Sequence, residues 1–134
     1  MAVSKEEKAL QNFNLLNKWL YLKNVNIPLK SYLEENGWKN VAVYGLGDVG
    51  KRFIEDLQND GIDIEYAIDA KAVIYFCDFD IYMPSDDLPD VDVIIVTVLY
   101  DYINIKEKMP DKWKDKCVSL ETIVNTLWER CWIH

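Results

Sequence analysis

Val41-Ala-Val-Tyr-Gly-Leu-Gly-Asp-Val-Gly50 is the stretch that decides the fold. Val41, Ala42, Val43 and Tyr44 form a short apolar run behind the polar Lys39 and Asn40, with the length and composition of a buried parallel strand. The run enters Gly45, Gly47 and Gly50, spaced as G-x-G-x-x-G. Val49, Phe53 and Leu57 then recur every four residues, so residues 48–59 read as a helix closed by Asn59-Asp60-Gly61. Residues 62–68 follow as a second strand, which ends at Asp69.

A glycine triplet by itself says little, but a strand before it, a helix after it and an acid at the end of the next strand give it a physical meaning. Gly45 permits a tight turn, Gly47 lets backbone approach a pyrophosphate, and Gly50 lets the helix lie close to the strand. The N–H groups of Leu46, Asp48 and Val49 lie around the helix start, where the positive dipole end favours phosphate. Asp69 lies 19 residues beyond Gly50, where its carboxylate can accept from ribose hydroxyls. An acid there repels a 2′-phosphate, which favours NAD over NADP. Asp48 sets a carboxylate near the phosphates; Lys51 and Arg52 either partly offset it or, the preferred reading, are ordinary solvated helix residues.

Outward from this centre, Ser4 and Glu7 have the spacing of a capping box, and Ala9, Phe13, Leu16 and Leu20 follow at helical spacing. Residues 4–23 therefore read as an amphipathic helix with that apolar face. Pro28 begins a second short helix, with Ser31 and Glu34 at capping spacing and Gly37 as its stop. Residues 1–37 form a helical extension, expected to serve in packing or oligomer contact, ahead of a nucleotide-binding domain over residues 38–134.

Downstream, residues 73–76 are apolar in an acidic neighbourhood, and Ile81-Tyr82-Met83 before Pro84 suits an edge strand. Ser85-Asp86-Asp87 suits a turn, residues 91–98 are the strongest strand, and residues 103–109 form a short helix stopped by Pro110. Cys117-Val118 suits a last strand, and Ser119 caps a helix whose face is Leu120, Val124, Leu127 and Cys131. Strands alternating with helices imply a doubly wound, mostly parallel α/β sheet of four to five strands.

Bulk composition narrows the function. The formal net charge is −8, from 15 basic and 23 acidic residues. A nucleic-acid or anionic-membrane partner would call for a basic face. No apolar run nears the roughly 20 residues that span a bilayer. Cys77, Cys117 and Cys131 are odd in number and widely spaced, as free thiols in a reducing cytoplasm would be. His134 is the single histidine, so neither a zinc site nor a well-held catalytic base is expected. Asp78, Asp80, Asp86, Asp87, Asp90 and Asp92 read as a solvated acidic loop rather than a magnesium site.

No catalytic set is complete. Tyr102 and Lys106 match a Tyr-x-x-x-Lys pair, but about one such spacing is expected by chance in a chain this rich in both residues. Tyr100, Asp101 and Tyr102 follow the strongest strand and either touch a ligand or start a helix. The tryptophans suit core or interface, with Trp128 and Trp132 four apart on one helix.

Together, "Val-Tyr-Gly-x-Gly-Asp-Val-Gly", "Ala-Ile-Asp" and Val91-Asp-Val-Ile-Ile-Val-Thr97 resemble the NAD(P)-binding Rossmann-type domain. More narrowly, they resemble short Rossmann-like modules of bacterial surface-polysaccharide pathways, found in nucleotide-sugar dehydratases and epimerases, in sugar acyltransferases and beside glycosyltransferases. The resemblance covers residues 39–120. It implies that Gly45, Gly47, Gly50 and Asp69 are cofactor contacts and that Thr97 borders the same crevice. It further implies NAD, or else NADP or a nucleotide sugar, as ligand, and a homo-oligomer or a glycosyltransferase-pathway protein as partner. A potassium-channel regulatory or CoA-binding type of ligand sensor, and an interaction module with a degenerate site, share these features. A SAM methyltransferase also has a glycine-rich first loop, but no Asn/Asp-Pro-Pro-Tyr motif follows Thr97.

Overall fold

A computed structural model describes residues 2–71 and 78–133. The apolar segment 73–76, Cys77 and His134 lie outside the described residues. The elements are α1 (Lys5–Asn24), α2 (Lys30–Glu35), β1 (Val41–Tyr44), α3 (Asp48–Asn59), β2 (Tyr66–Ile68), β3 (Asp80–Tyr82) and β4 (Val93–Val96). A 3₁₀ turn (Leu99–Asp101), α4 (Tyr102–Lys108), α5 (Asp111–Lys114), β5 (Cys117–Ser119) and α6 (Leu120–Arg130) complete the elements of the described residues. The sheet has five strands in the order β3-β2-β1-β4-β5. Every pairing is parallel.

Strand alternation sorts the core into two layers. Val41, Val43, Ala67, Val93 and Ile95 face α1, α2, α3 and α6. Ala42, Tyr66, Ile68, Ile94 and Val96 face Ile105 and Met109 at α4 and Trp113 on α5. The fold is thus doubly wound, as a parallel sheet with both faces buried must be. Helices α1 and α2 pack onto it, with Leu15, Trp19, Leu22, Leu29 and Leu33 sharing the first layer with the strands.

The connection before β2 is shorter in strand than its composition suggests. The Gly61 N–H donates to Gln58 O and the Ile62 N–H to Leu57 O, with Gly61 at φ +80, so the chain wraps the end of α3 before turning extended. Only at Glu65, whose N–H donates to Val41 O, does it join the sheet. Strand β4 is likewise shorter than 91–98. The Asp92 carboxylate is occupied by the N–H groups of Lys39 and Asn40, which hold it below the usual aspartate range, and Val98 already leads into the 3₁₀ turn.

Four helix details depart from expectation. Ser4 caps α1 by accepting from Glu7 N, but Ala9, Phe13, Leu16 and Leu20 do not face the core. Leu15, Trp19 and Leu22 do, and Asp56 of α3 accepts from Trp19 Nε1 at 3.2 Å while pairing with Lys23. Ser31 lies inside α2 rather than capping it, and its hydroxyl donates to Pro28 O. Pro110 ends α4 and also opens α5, which seats Trp113 in the second layer. At the far end, α6 stops at Arg130, so Trp132 meets Trp128 from the following turn rather than from the same helix.

Tyr66 yields a pH signature. It is buried, and its hydroxyl donates to Pro89 O at 2.7 Å. Burial first, then the neighbouring Tyr82 and Asp90, push its pKa up to about 12. The unfolded phenol ionises near 10, so above that pH the unfolded state binds fewer protons and stability falls. Urea unfolding is expected to lose about 2 kcal/mol between pH 10 and pH 12 from this group. Tyr66→Phe should remove that part of the slope.

Candidate functional site

Register brings the site together. Tyr44 pairs with Ile68 and with Val96, so the next residues, Gly45, Asp69 and Thr97, stand at one level on the carboxyl edge of the sheet. The Gly45 N–H donates to Ile68 O and the Thr97 N–H to Tyr44 O, each at 2.8 Å, which continues the ladder by one step. Chain order reverses between β2-β1 and β4, the switch point at which open α/β sheets leave a crevice.

The glycines do different work. Gly45 has φ +106, and a Cβ there would stand 2.5 Å from Thr97 Oγ1 and 2.8 Å from Val98 Cγ2. A Cβ on Gly50 would stand 2.0 Å from Gly45 O, so the first turn of α3 lies directly against the strand end. Gly47 is the opposite case: among the described residues, no atom lies within 4 Å of the Cβ it lacks. It is exposed and is the N-cap of α3, where no side-chain cap bonds the first N–H groups among the described residues.

Thr97 closes the turn from β4. It is buried, and its hydroxyl lies 2.9 Å from Tyr44 O and 3.1 Å from Gly45 O, as donor to these carbonyls. Asp69 closes it from β2. Its Oδ2 accepts from Leu46 N and its Oδ1 from Lys71 N, both at 2.8 Å. The Leu46 side chain is buried in the first core layer, and its amide is taken by Asp69.

A cavity of about 380 Å³ lies over this edge, a size within the range of small-molecule sites. Gly45, Gly47, Asp48, Val49, Gly50, Asp69 and Thr97 all line it. Leu46 is the one expected contact that does not. Residues the sequence did not single out also reach it: Tyr44 from β1, Lys71 after Asp69, and Asn12 from α1. Tyr100 and Asp101 line it, whereas the Tyr102 hydroxyl turns away to Cys117 O at 3.0 Å. Adjacency to Gly45 was the available signal for Tyr44. For Asn12 no local signal exists, because its place depends on how α1 packs.

The lining is acidic, with Asp48, Asp69 and Asp101 against Lys71. Burial, then the Asp101 and Asp69 charges, raises the Tyr44 pKa above its ordinary value, so its hydroxyl stays a neutral donor at pH 7. Beside the cavity, Lys8 Nζ sits 4.1 Å over the Tyr100 ring. Among the described residues, no group of three His, Cys, Asp or Glu side chains is placed to hold a metal ion. Cys117 is buried and Cys131 half-buried, both as free thiols.

No family model matches the chain, and neither a curated protein nor a solved structure matches it.

The glycine geometry predicts opposite outcomes for two like substitutions. Gly50→Ala should lower unfolding free energy by about 1–3 kcal/mol, because the backbone oxygen it meets cannot step aside. Gly47→Ala should leave stability within about 0.5 kcal/mol. Thr97→Val should cost about 1 kcal/mol through the lost donor to the turn. Chemical denaturation of the three variants checks all of this.

Proposed function

We propose that this crevice binds a nucleotide carrying a diphosphate, either an NAD-type dinucleotide or a nucleotide sugar. The observation that carries the reading is Gly47: a helix N-cap without a side-chain cap, exposed, lining the cavity and open on its Cβ side. Phosphate oxygens brought to that point meet the first-turn amides of α3 and the positive end of its dipole. Asp69 lies at the correct strand end for a ribose diol. Its two oxygens each accept one backbone N–H, and each keeps a further lone pair for a hydroxyl. The carboxylate disfavours a 2′-phosphate, hence NAD before NADP.

Without a complete acid–base pair or nucleophile, the reading is of a binding subunit or fragment rather than a self-sufficient enzyme. The resemblance of residues 39–120 to Rossmann-like modules supports a cytoplasmic role in cell-surface polysaccharide or nucleotide-sugar metabolism. Compatible with this, no helix among the described residues is long and apolar enough to cross a membrane.

Calorimetric titration with NAD, NADP and a UDP-sugar tests the proposal. NAD or the UDP-sugar should bind, and saturation at 100-fold over Kd should add about 2.7 kcal/mol of stability. Gly47→Ala should cut affinity about tenfold or more while unfolding like the parent. Asp48→Asn should tighten binding several-fold by removing a like charge beside the phosphates. No heat and no stabilisation from any of the three ligands at millimolar concentration would contradict the proposal.

A further inference from the structure

Helix α1 carries two apolar stripes, and the core uses one of them. Leu15, Trp19 and Leu22 are buried. Ala9, Phe13, Leu16 and Leu20 lie on another side and are exposed; Phe13 is 63% exposed, Leu16 39% and Leu20 58%. A surface helix ordinarily keeps polar residues on its outer side. These four residues step by four, three and four, the spacing of one seam of a coiled coil. Residues 9–20 make that seam about 17 Å long.

The seam is self-complementary when it is reversed. Ala9 and Leu20 lie equally far from a point between residues 14 and 15, and so do Phe13 and Leu16. Continuing the same steps outward reaches Glu6 at one end and Lys23 at the other, again equidistant from that point. Both are exposed. We propose that the outward face of α1 is a homodimer seam, in which two copies pair antiparallel about a two-fold axis between residues 14 and 15.

In that pairing Phe13 of each copy packs on Leu16 of the other, and Ala9 on Leu20. Glu6 of each copy meets Lys23 of the other. Lys23 already pairs with Asp56, and its ammonium has three donors, enough for both carboxylates. Arg52 lies in the same groove between α1 and α3 but is already held by Glu55 through two hydrogen bonds, so Lys23 is the cation that meets Glu6. A parallel pairing would instead set Glu6 against Glu6 and Lys23 against Lys23. The charge order therefore selects the antiparallel arrangement. A closed two-fold contact of this kind uses the seam once on each copy and stops at two.

Sedimentation equilibrium of the full chain at micromolar concentration should give about twice the 15.7 kDa protomer mass. Phe13→Glu and Leu20→Glu should each weaken self-association about tenfold or more. Ile103→Glu, at an equally exposed position off the seam, should leave the dimer intact. Circular dichroism confirms that each variant is folded, and Phe13→Ala offers a milder version. Register is read by disulfide trapping in a background with Cys77 and Cys131 replaced by Ser. Phe13→Cys protein mixed with Leu16→Cys protein should cross-link as the mixed pair, several-fold faster than either alone. A monomeric parent chain, a dimer indifferent to Phe13→Glu, or a Phe13→Cys protein that links to itself in preference to the mixed pair would each overturn the proposal.

Discussion

The contact between Gly50 and the carbonyl oxygen of Gly45 is the constraint on which the rest depends. At that point α3 lies so close to the end of β1 that a single added carbon would stand 2.0 Å from the oxygen. Close approach fixes where α3 begins and aims its first amides over the carboxyl edge of the sheet. The turn is then held from both flanking strands, by the Thr97 hydroxyl on one side and the Asp69 carboxylate on the other. None of these three restraints touches Gly47, which stays open. A rigid turn with one unobstructed residue at a helix start is the arrangement that the proposed diphosphate site needs.

The same restraints give Asp69 and Thr97 two duties. Asp69 anchors Leu46 and Lys71, and the proposed ribose contact would come on top of that. Thr97 borders the cavity while its hydroxyl hydrogen is directed to Tyr44 O and Gly45 O. Polar groups that already hold the backbone add little reorganisation when a ligand arrives, which is the advantage of preorganisation. They also make loss of binding on mutating either residue a poor guide to contact. Gly47 is the cleaner probe because a Cβ there meets no atom of the described residues within 4 Å.

Where structure follows from neighbours in the chain, the sequence was readable. The bounds of β1 and α3, the stop at Gly61 and the Ser4 and Ser119 caps all come from patterns a few residues long. The five-stranded parallel sheet followed from the alternation of strand and helix. Reading failed where the choice was global. Helix α1 is apolar on two sides, so periodicity could not tell which side meets α3 and α6. Composition overstates strand β2 because Ile64 buries and Ile62 half-buries its side chain from the connection, a pattern it does not separate from a strand. The glycine turn, Asp69 and Thr97 line one cavity because sheet register sets their strand ends level; Tyr44 and Lys71 come with them as chain neighbours of Gly45 and Asp69, while Asn12 arrives by the packing of α1.

The most direct measurement of the central claim is a ¹⁵N–¹H correlation spectrum of the chain titrated with NAD. The account predicts saturable shifts led by the amides of Gly47, Asp48 and Val49, with Asp69 and Lys71 following and the amides of α5 unmoved. Shifts centred away from the carboxyl edge of β1, or an unchanged spectrum at saturating NAD and UDP-sugar, would contradict it.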